Sequence, residues 1–253
     1  MKIAFISDFF LEEMHGGAEI VDDFLIKKIS FHHDIVKKKS DHFSCSEDYD
    51  LWIISNFTHL AKTSIEFLKS KRYIIIEHDH KFSRTRDVSK FPKHLIPADQ
   101  VINSAFYRKA ELIFCQSQSH ATTTIDNLLL DNVANFGCSF WSNECLDLLE
   151  NLSETKKVVE YAFLESTNPI KGSFESKVFC TKNNLNYKSI QKSSFDKVMC
   201  ELSQVEKFVF FPQVMESFCR LATEARMVNC SLITNNNLGC ASEEWFLKLK
   251  GLD

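Results

Sequence analysis

The chain has 253 residues, 44% hydrophobic and 25% charged, with a formal net charge of -4 at pH 7. That length suits one large domain or two modest ones at roughly 100 to 200 residues each, and the acidic balance excludes a protein that coats nucleic acid through bulk positive charge. No apolar run approaches the ~18 residues of a membrane span, and the first eight residues reach Asp8 too early for a secretory signal. The nine cysteines are odd in number and contain no Cys-x-x-Cys pair, which speaks against a disulfide framework or structural zinc and for a reducing compartment such as the cytoplasm. Glycine is scarce, six residues, while phenylalanine reaches 23. Richness in Phe, Lys, Ile and Asn fits an AT-rich genome such as that of a phage, which would make the compartment the host cytoplasm.

Residues 2–9 form a short apolar run of strand type, followed by a polar turn with His15-Gly16-Gly17 and a helical pattern over 18–29. Further strand-like runs at 50–55, 72–77 and 111–116 are separated by helical stretches at 58–69, 99–109 and 117–129. After a helix over 141–151, strands are predicted at 157–163, 187–190, 207–211 and 231–234, with helices over 173–182, 194–201, 216–228 and 242–249. Short apolar strands alternating with amphipathic helices indicate parallel sheets covered on both faces. The polar stretch 151–157 is the expected boundary, giving an N-terminal domain over 1–152 and a C-terminal domain over 153–253. Ligands of open α/β sheets collect outside the carboxyl ends of the strands, so two such domains can share one ligand across a cleft.

The most informative segment is 210–225. A buried strand ends at Pro212, a loop follows, and a helix is predicted from Glu216, with Glu224 eight residues on. Were both glutamates helical, they would stand about 80° and ~12 Å apart, too far to grip one atom but suited to two parts of an extended ligand. The segment resembles the retaining GT-B glycosyltransferases of the family that includes sucrose synthase and many bacterial hexosyltransferases. Their pattern is Glu, seven residues, Glu after a strand ending in Pro, with an aromatic two after the first Glu; Glu216, Phe218 and Glu224 fit it. The resemblance implies two Rossmann-like α/β/α domains facing across a cleft, with Glu224 bonding the nucleotide ribose and Glu216 acting at the donor sugar. Ser217, Phe218 and Arg220 would line the same donor site. The competing reading is an ordinary amphipathic helix with solvated glutamates.

Asn168-Pro-Ile-Lys171-Gly172 follows the strand at 157–163. Similar enzymes place a Lys-Gly pair there, which implies that Lys171 neutralises the leaving diphosphate. Many also carry an arginine five residues earlier; here that position is Ser166, and Arg220 is the nearest substitute by sequence. Gly16-Gly17-Ala18-Glu19 looks like the entry to the first helix in these enzymes, where backbone amides approach the donor; a bare turn is the alternative. Glu77-His78-Asp79-His80 discharges titratable groups at the end of a buried strand. The resemblance implies a catalytic His78 on the acceptor side. Metal binding by His78, Asp79 and His80 is the rival, disfavoured because the family generally works without a metal and because adjacent residues of a strand face opposite ways, so that His78 and His80 could share a side while Asp79 points away.

The loop 81–94 carries Lys81, Arg84, Arg86, Lys90 and Lys93 against Asp87 alone, which would suit a phosphate-bearing acceptor such as nucleic acid or a lipid-linked phosphate, although charge runs are more often solvated faces. Residues 115–120 either line the cleft or cap the helix near Ser117. The expected activity is transfer, with retention and without a metal or other cofactor, of a sugar from a nucleoside diphosphate sugar to a hydroxyl on a modified DNA base, a glycan or a lipid. One alternative is a non-catalytic module of the same fold that binds nucleotide or sugar. Another, a nucleotide-dependent oxidoreductase, is disfavoured because no Gly-x-Gly-x-x-Gly follows the first strand. The C-terminal half lacks the long helix that in larger relatives returns to the N-terminal domain, so a minimal enzyme or partner-assisted assembly is expected.

Overall fold

A computed structural model of the chain describes residues 1–42, 44–249 and 251; residues 250, 252 and 253, inside the expected second domain, lie outside them. The chain divides into two units, Met1–Phe140 and Trp141–Asp253. In the first, chain order is β1 (Lys2–Ser7), α1 (Gly17–Ser30), β2 (Asp34–Lys39), β3 (Leu51–Ile54), α2 (Lys62–Leu68), β4 (Tyr73–Ile76), α3 (Ser104–Lys109), β5 (Leu112–Cys115), α4 (Gln118–Leu128) and β6 (Val133–Asn135). The strands form one parallel sheet in the order β2-β1-β3-β4-β5-β6.

The strands are apolar on both faces because both faces are covered. Ile3, Phe5, Ile53 and Ile76 pack with Ile26 of α1 on one side. Alternate residues serve the other: Trp52 meets Phe67 of α2 edge-on and Tyr73 stacks on Phe106 of α3. β2 had no place among the predicted strands, because Asp34-Ile-Val-Lys-Lys-Lys carries three lysines. Each is neutralised, Lys37 by Glu12 at 2.6 Å, Lys38 by Glu47 at 2.6 Å and Lys39 by Glu13 at 2.8 Å, and the charge protects an exposed sheet edge.

The second unit runs α5 (Asn143–Ser153), β7 (Val159–Glu165), α6 (Ser173–Lys182), β8 (Tyr187–Gln191), α7 (Phe195–Leu202), β9 (Val205–Phe210), α8 (Arg220–Met227), β10 (Ser231–Thr234) and α9 (Glu244–Lys248). Its four strands are parallel in the order β10-β9-β7-β8. Alternation along β9 sorts the layers: Phe208 and Phe210 face Leu149 of α5, Leu202 of α7 and Ala222 of α8, while Val209 faces Cys180 of α6. Burying one such phenylalanine is worth about 2 to 3 kcal/mol.

The division falls before α5 rather than within 151–157, which corrects the expected boundary. The physical reason is Leu149, 0% exposed in the second unit's core with Leu152 packed against it: α5 is the first covering helix of that sheet. In both units the first strand sends its successor to one side and the next to the other, so each sheet has a switch point, β1/β3 in the first and β7/β9 in the second. Crevices that receive ligands open at the carboxyl ends of such strand pairs.

Candidate functional site

At the β7/β9 switch point the loops after β7, β9 and β10 are laced together. Asn168 and Pro169 open a single 3-10 turn, with the Asn168 side chain accepting from Ile170 N at 3.2 Å. Gly172 ends it at φ +66. The turn is stitched to the loop after β9 by Gln213 N donating to the Ile170 carbonyl at 2.8 Å. The side chains of Asn235 and Asn237, beyond β10, donate to the Pro212 carbonyl at 2.9 and 3.0 Å. Glu216 N donates to Asn237 O at 2.9 Å, and Glu216 O accepts from Gly239 N at 2.9 Å.

This lacing brings Lys171 and Glu216, 45 residues apart in sequence, to 2.6 Å between Nζ and Oε1. The ammonium side chain is 38% exposed and the carboxylate 17%, so the pair is partly buried and still reached by solvent. Burial disfavours the ammonium, but the Glu216 carboxylate outweighs it and raises the Lys171 pKa. Glu216 is not helical, contrary to expectation. It pairs with Leu238 in an isolated bridge, and α8 opens only at Arg220, after Cys219 takes a left-handed φ of 77°.

Glu224 sits on α8, 5% exposed. Its Oε1 accepts from Trp141 Nε1 at 2.8 Å and pairs with Arg220 at 3.2 Å, and the Arg220 guanidinium lies over the Trp141 ring, 4.7 Å from its centroid. Burial raises the Glu224 pKa, and Arg220 and Trp141 oppose it. Each of the two glutamates of the 210–225 segment thus has a cation beside it, Glu216 with Lys171 and Glu224 with Arg220. Arg220, expected as a substitute for the arginine missing at Ser166, pairs with Glu224 and stacks on Trp141. Ser217 stands half-buried beside Glu216. Phe218 departs from expectation: its ring is 2% exposed and packs in the core beside Trp141 and Trp245, so what it supplies is the anchoring of the loop. Trp141, which sequence reasoning missed, follows a run of loop residues that no local pattern ties to Glu224.

In the first unit, Gly16 and Gly17 lead into α1 at the carboxyl end of β1. A side chain at position 16 would collide with the Glu19 carboxylate, so glycine here permits a close approach. Glu19 is 5% exposed, and burial raises its pKa. Beside it a chain of hydrogen bonds runs across three strand ends. Ser55 donates to Asp22 Oδ2 at 2.6 Å, Asp22 Oδ1 meets His78 Nε2 at 2.8 Å, and His78 Nδ1 meets the Gln116 amide at 2.7 Å. Both His78 ring nitrogens are therefore engaged. Asp22 escaped sequence reasoning, and Glu19 was read only as the end of the helix-entry motif, although their spacing of three on α1 was a readable signal. Ser117 caps α4, its Oγ accepting from His120 N at 3.2 Å.

Asp79 and His80 turn elsewhere. Asp79 pairs with Lys81 at 2.9 Å and with Arg86, and His80 lies edge-on to Phe82 and to His120. Among the described residues no group of three His, Cys, Asp or Glu side chains is arranged to hold a metal. The basic loop is more neutral than its sequence: Lys81 is 2% exposed between Glu77 and Asp79, Arg86 pairs with Asp79, and Lys90 pairs with Asp87 at 3.3 Å. Arg84 and Lys93 remain as its exposed cations without an ion pair among the described residues. No described helix is long and apolar enough to cross a membrane.

No protein-family model and no curated protein matches the sequence. Solved structures do match across both units. HepE from Anabaena in complex with UDP and glucose is 13% identical, with 95% of this chain and 82% of that one covered and a TM-score of 0.52. An alpha-glucosyltransferase in complex with UDP and a 13-mer DNA containing an HMU base is 11% identical, with 96% and 84% covered and a TM-score of 0.51. AviGT4, a glycosyltransferase involved in avilamycin A biosynthesis, is 10% identical, with 96% and 81% covered and a TM-score of 0.52. The chain therefore has the GT-B fold of these glycosyltransferases, an α/β architecture built from two Rossmann-like parallel sheets.

Proposed function

We propose that the protein is a glycosyltransferase that moves a sugar from a nucleoside diphosphate sugar to an acceptor hydroxyl. The second unit binds the donor and the first binds the acceptor. The observation that carries this reading is the Lys171–Glu216 pair at the β7/β9 switch point, in a fold shared with structures bound to UDP. A diphosphate entering that crevice competes with Glu216 for the Lys171 ammonium. Glu216 is then released toward the sugar hydroxyls, and Lys171 stabilises the charge that accumulates on the leaving group. Glu224 receives the ribose hydroxyls.

We assign retention of anomeric configuration, with the leaving diphosphate taking the acceptor proton on the same face, so that no protein nucleophile is required. Lys171 supplies the positive charge, and the reaction needs no metal. His78, held at both nitrogens, forms a fixed polar wall on the acceptor side together with Glu19 and the Gly16-Gly17 turn. An acceptor on DNA would meet Arg84 and Lys93; a glycan or lipid acceptor needs neither. Nine free cysteines agree with work in the cytoplasm.

A thermal-shift screen with nucleoside diphosphates and their sugars tests the reading. A ligand at 100 times its Kd stabilises by about 2.7 kcal/mol. Lys171→Ala should abolish the shift and lower donor turnover, read as transfer or slow donor hydrolysis, by about 100-fold. Loss of one half-exposed ion pair costs under about 1 kcal/mol of stability. Full turnover in that variant would sink the assignment of Lys171, and donor binding with neither transfer nor hydrolysis would make the protein a binding module.

A further inference from the structure

Trp141 opens the second unit and makes two contacts with one charge pair. Its indole N–H donates to Glu224 Oε1 at 2.8 Å, and its face carries the Arg220 guanidinium at 4.7 Å. Arg220, one turn before Glu224 on α8, reaches the same Oε1 at 3.2 Å. One carboxylate oxygen thus receives both donors. The other, Oε2, accepts no hydrogen bond among the described residues, although the residue is only 5% exposed. An ionised carboxyl accepts on both oxygens, so a largely buried one with a single saturated oxygen is oriented toward something that brings hydroxyl or amide donors.

Arg220 alone would not fix that orientation. An i,i+4 pair between a long side chain and a glutamate leaves the carboxylate free to rotate, whereas the indole is a rigid donor whose ring also holds the guanidinium still. We propose that Trp141 is a positioning residue that locks Glu224 with Oε2 presented to the ribose 2′- and 3′-hydroxyls, and so makes the site select ribonucleoside over 2′-deoxyribonucleoside diphosphates. This rests on the donor-site reading given above. The residue lies outside the 210–225 segment that carries the glutamates and acts on them only through Oε1.

The test is calorimetric binding of UDP, ADP and GDP and their 2′-deoxy counterparts to the full chain and to Trp141→Phe, with unfolding midpoints measured alongside. The native protein should prefer the ribose form of the diphosphate it binds by on the order of tenfold, the worth of a hydrogen bond to a charged group. Trp141→Phe should weaken the ribose form by a similar factor and leave the deoxy form nearly unchanged, bringing the ratio toward one. Equal weakening of both forms, or a preserved ratio, would assign Trp141 a merely structural role and overturn the proposal. Should the phenylalanine variant fail to fold, benzothienylalanine at position 141, which keeps the shape and lacks the N–H, is held to the same ratio. If none of the diphosphates binds the native protein, the donor-site reading fails and this proposal with it; binding without the expected change in ratio removes the role of Trp141 alone.

Discussion

Gly172 and Cys219 adopt the same left-handed backbone for different ends. Gly172 has φ +66, and a Cβ there would collide with the Phe211 carbonyl, so the turn that presents Lys171 can lie against the loop after β9 only without a side chain. Gly172→Ala should therefore lower the unfolding free energy by about 2 kcal/mol and weaken diphosphate binding, because relieving the collision moves the adjacent Lys171. Urea unfolding and calorimetry on one preparation check both, and an alanine variant of native stability would contradict the account. Cys219 holds φ 77 with a side chain present, a conformation that costs on the order of 1 kcal/mol or more. That reversal separates Glu216 from α8. A cysteine does not announce positive φ as glycine does, which is why the continuous helix expected from Glu216 was the natural reading of the sequence.

Among the elements, the segment leaving β4 depends on a buried lysine. Lys81 Nζ lies 2.8 Å from Glu77 and 2.9 Å from Asp79, and Tyr107 donates to Glu77 as well. Burial works against both ions of the Lys81–Glu77 pair; it raises the Glu77 pKa, while the two carboxylates overcome it at Lys81 and raise that pKa too. Replacing Lys81 by Met leaves Glu77, 0% exposed, without its cation, at a cost of about 3 kcal/mol or more near neutrality. A raised carboxyl pKa means that acid protonates Glu77 and relieves the lost partner, so the deficit, measured by urea unfolding at pH 7.5 and at pH 5, should shrink on acidification. A deficit that grows would overturn this assignment.

The same segment shows how far sequence could go. Apolar runs such as Tyr73–Ile76 identified buried parallel strands because such strands have nothing else to offer, and α1, α4, α5, α6 and α7 fell within two residues of where periodicity put them. β2 escaped because its lysines are satisfied by glutamates 9 to 26 residues away, and β6 because Val133–Asn135 is too short to show a period. The glutamate pair and Lys171 were legible as residue types at a spacing. Their partners were not: the contact from Lys171 to Glu216 spans 45 residues and that from Trp141 to Glu224 spans 83, and no local pattern encodes either.

At the scale of the whole chain, titration is divided unequally between the units. All nine histidines lie within residues 15–120, hence in the first unit. His120, 0% exposed, accepts from Gln116 N on Nδ1 at 3.3 Å and places Nε2 3.0 Å from the Asp79 carbonyl. Burial lowers its pKa to about 4 and holds His80, 4.9 Å away ring to ring, well below the ordinary histidine value. In the unfolded chain both titrate near 6.5. Between pH 6.5 and about 4 the unfolded state therefore binds protons that the folded state refuses, and stability falls as pH falls. For His120 alone, 6.5 against about 4 amounts to about 3 kcal/mol across the window. Asp8 and Asp79, whose pKa values are lowered by their hydrogen-bond and ion-pair partners against the effect of burial, add their loss only below the usual aspartate range. Glu19 and Glu77, raised by burial, act with the opposite sign and offset part of it. The second unit has no histidine to charge, and its buried Glu224, also raised, favours folding in mild acid. Taking the pH from 7 to 5 should thus weaken the first unit and spare the second. Hydrogen exchange read by mass spectrometry, corrected for intrinsic rates, would show lost protection in β4, β5 and α4 and unchanged protection in β7 and β9. His120→Gln, which cannot take up a proton, should shrink the pH response of the first unit; a response as steep as that of the native chain would place its origin elsewhere than in this ring.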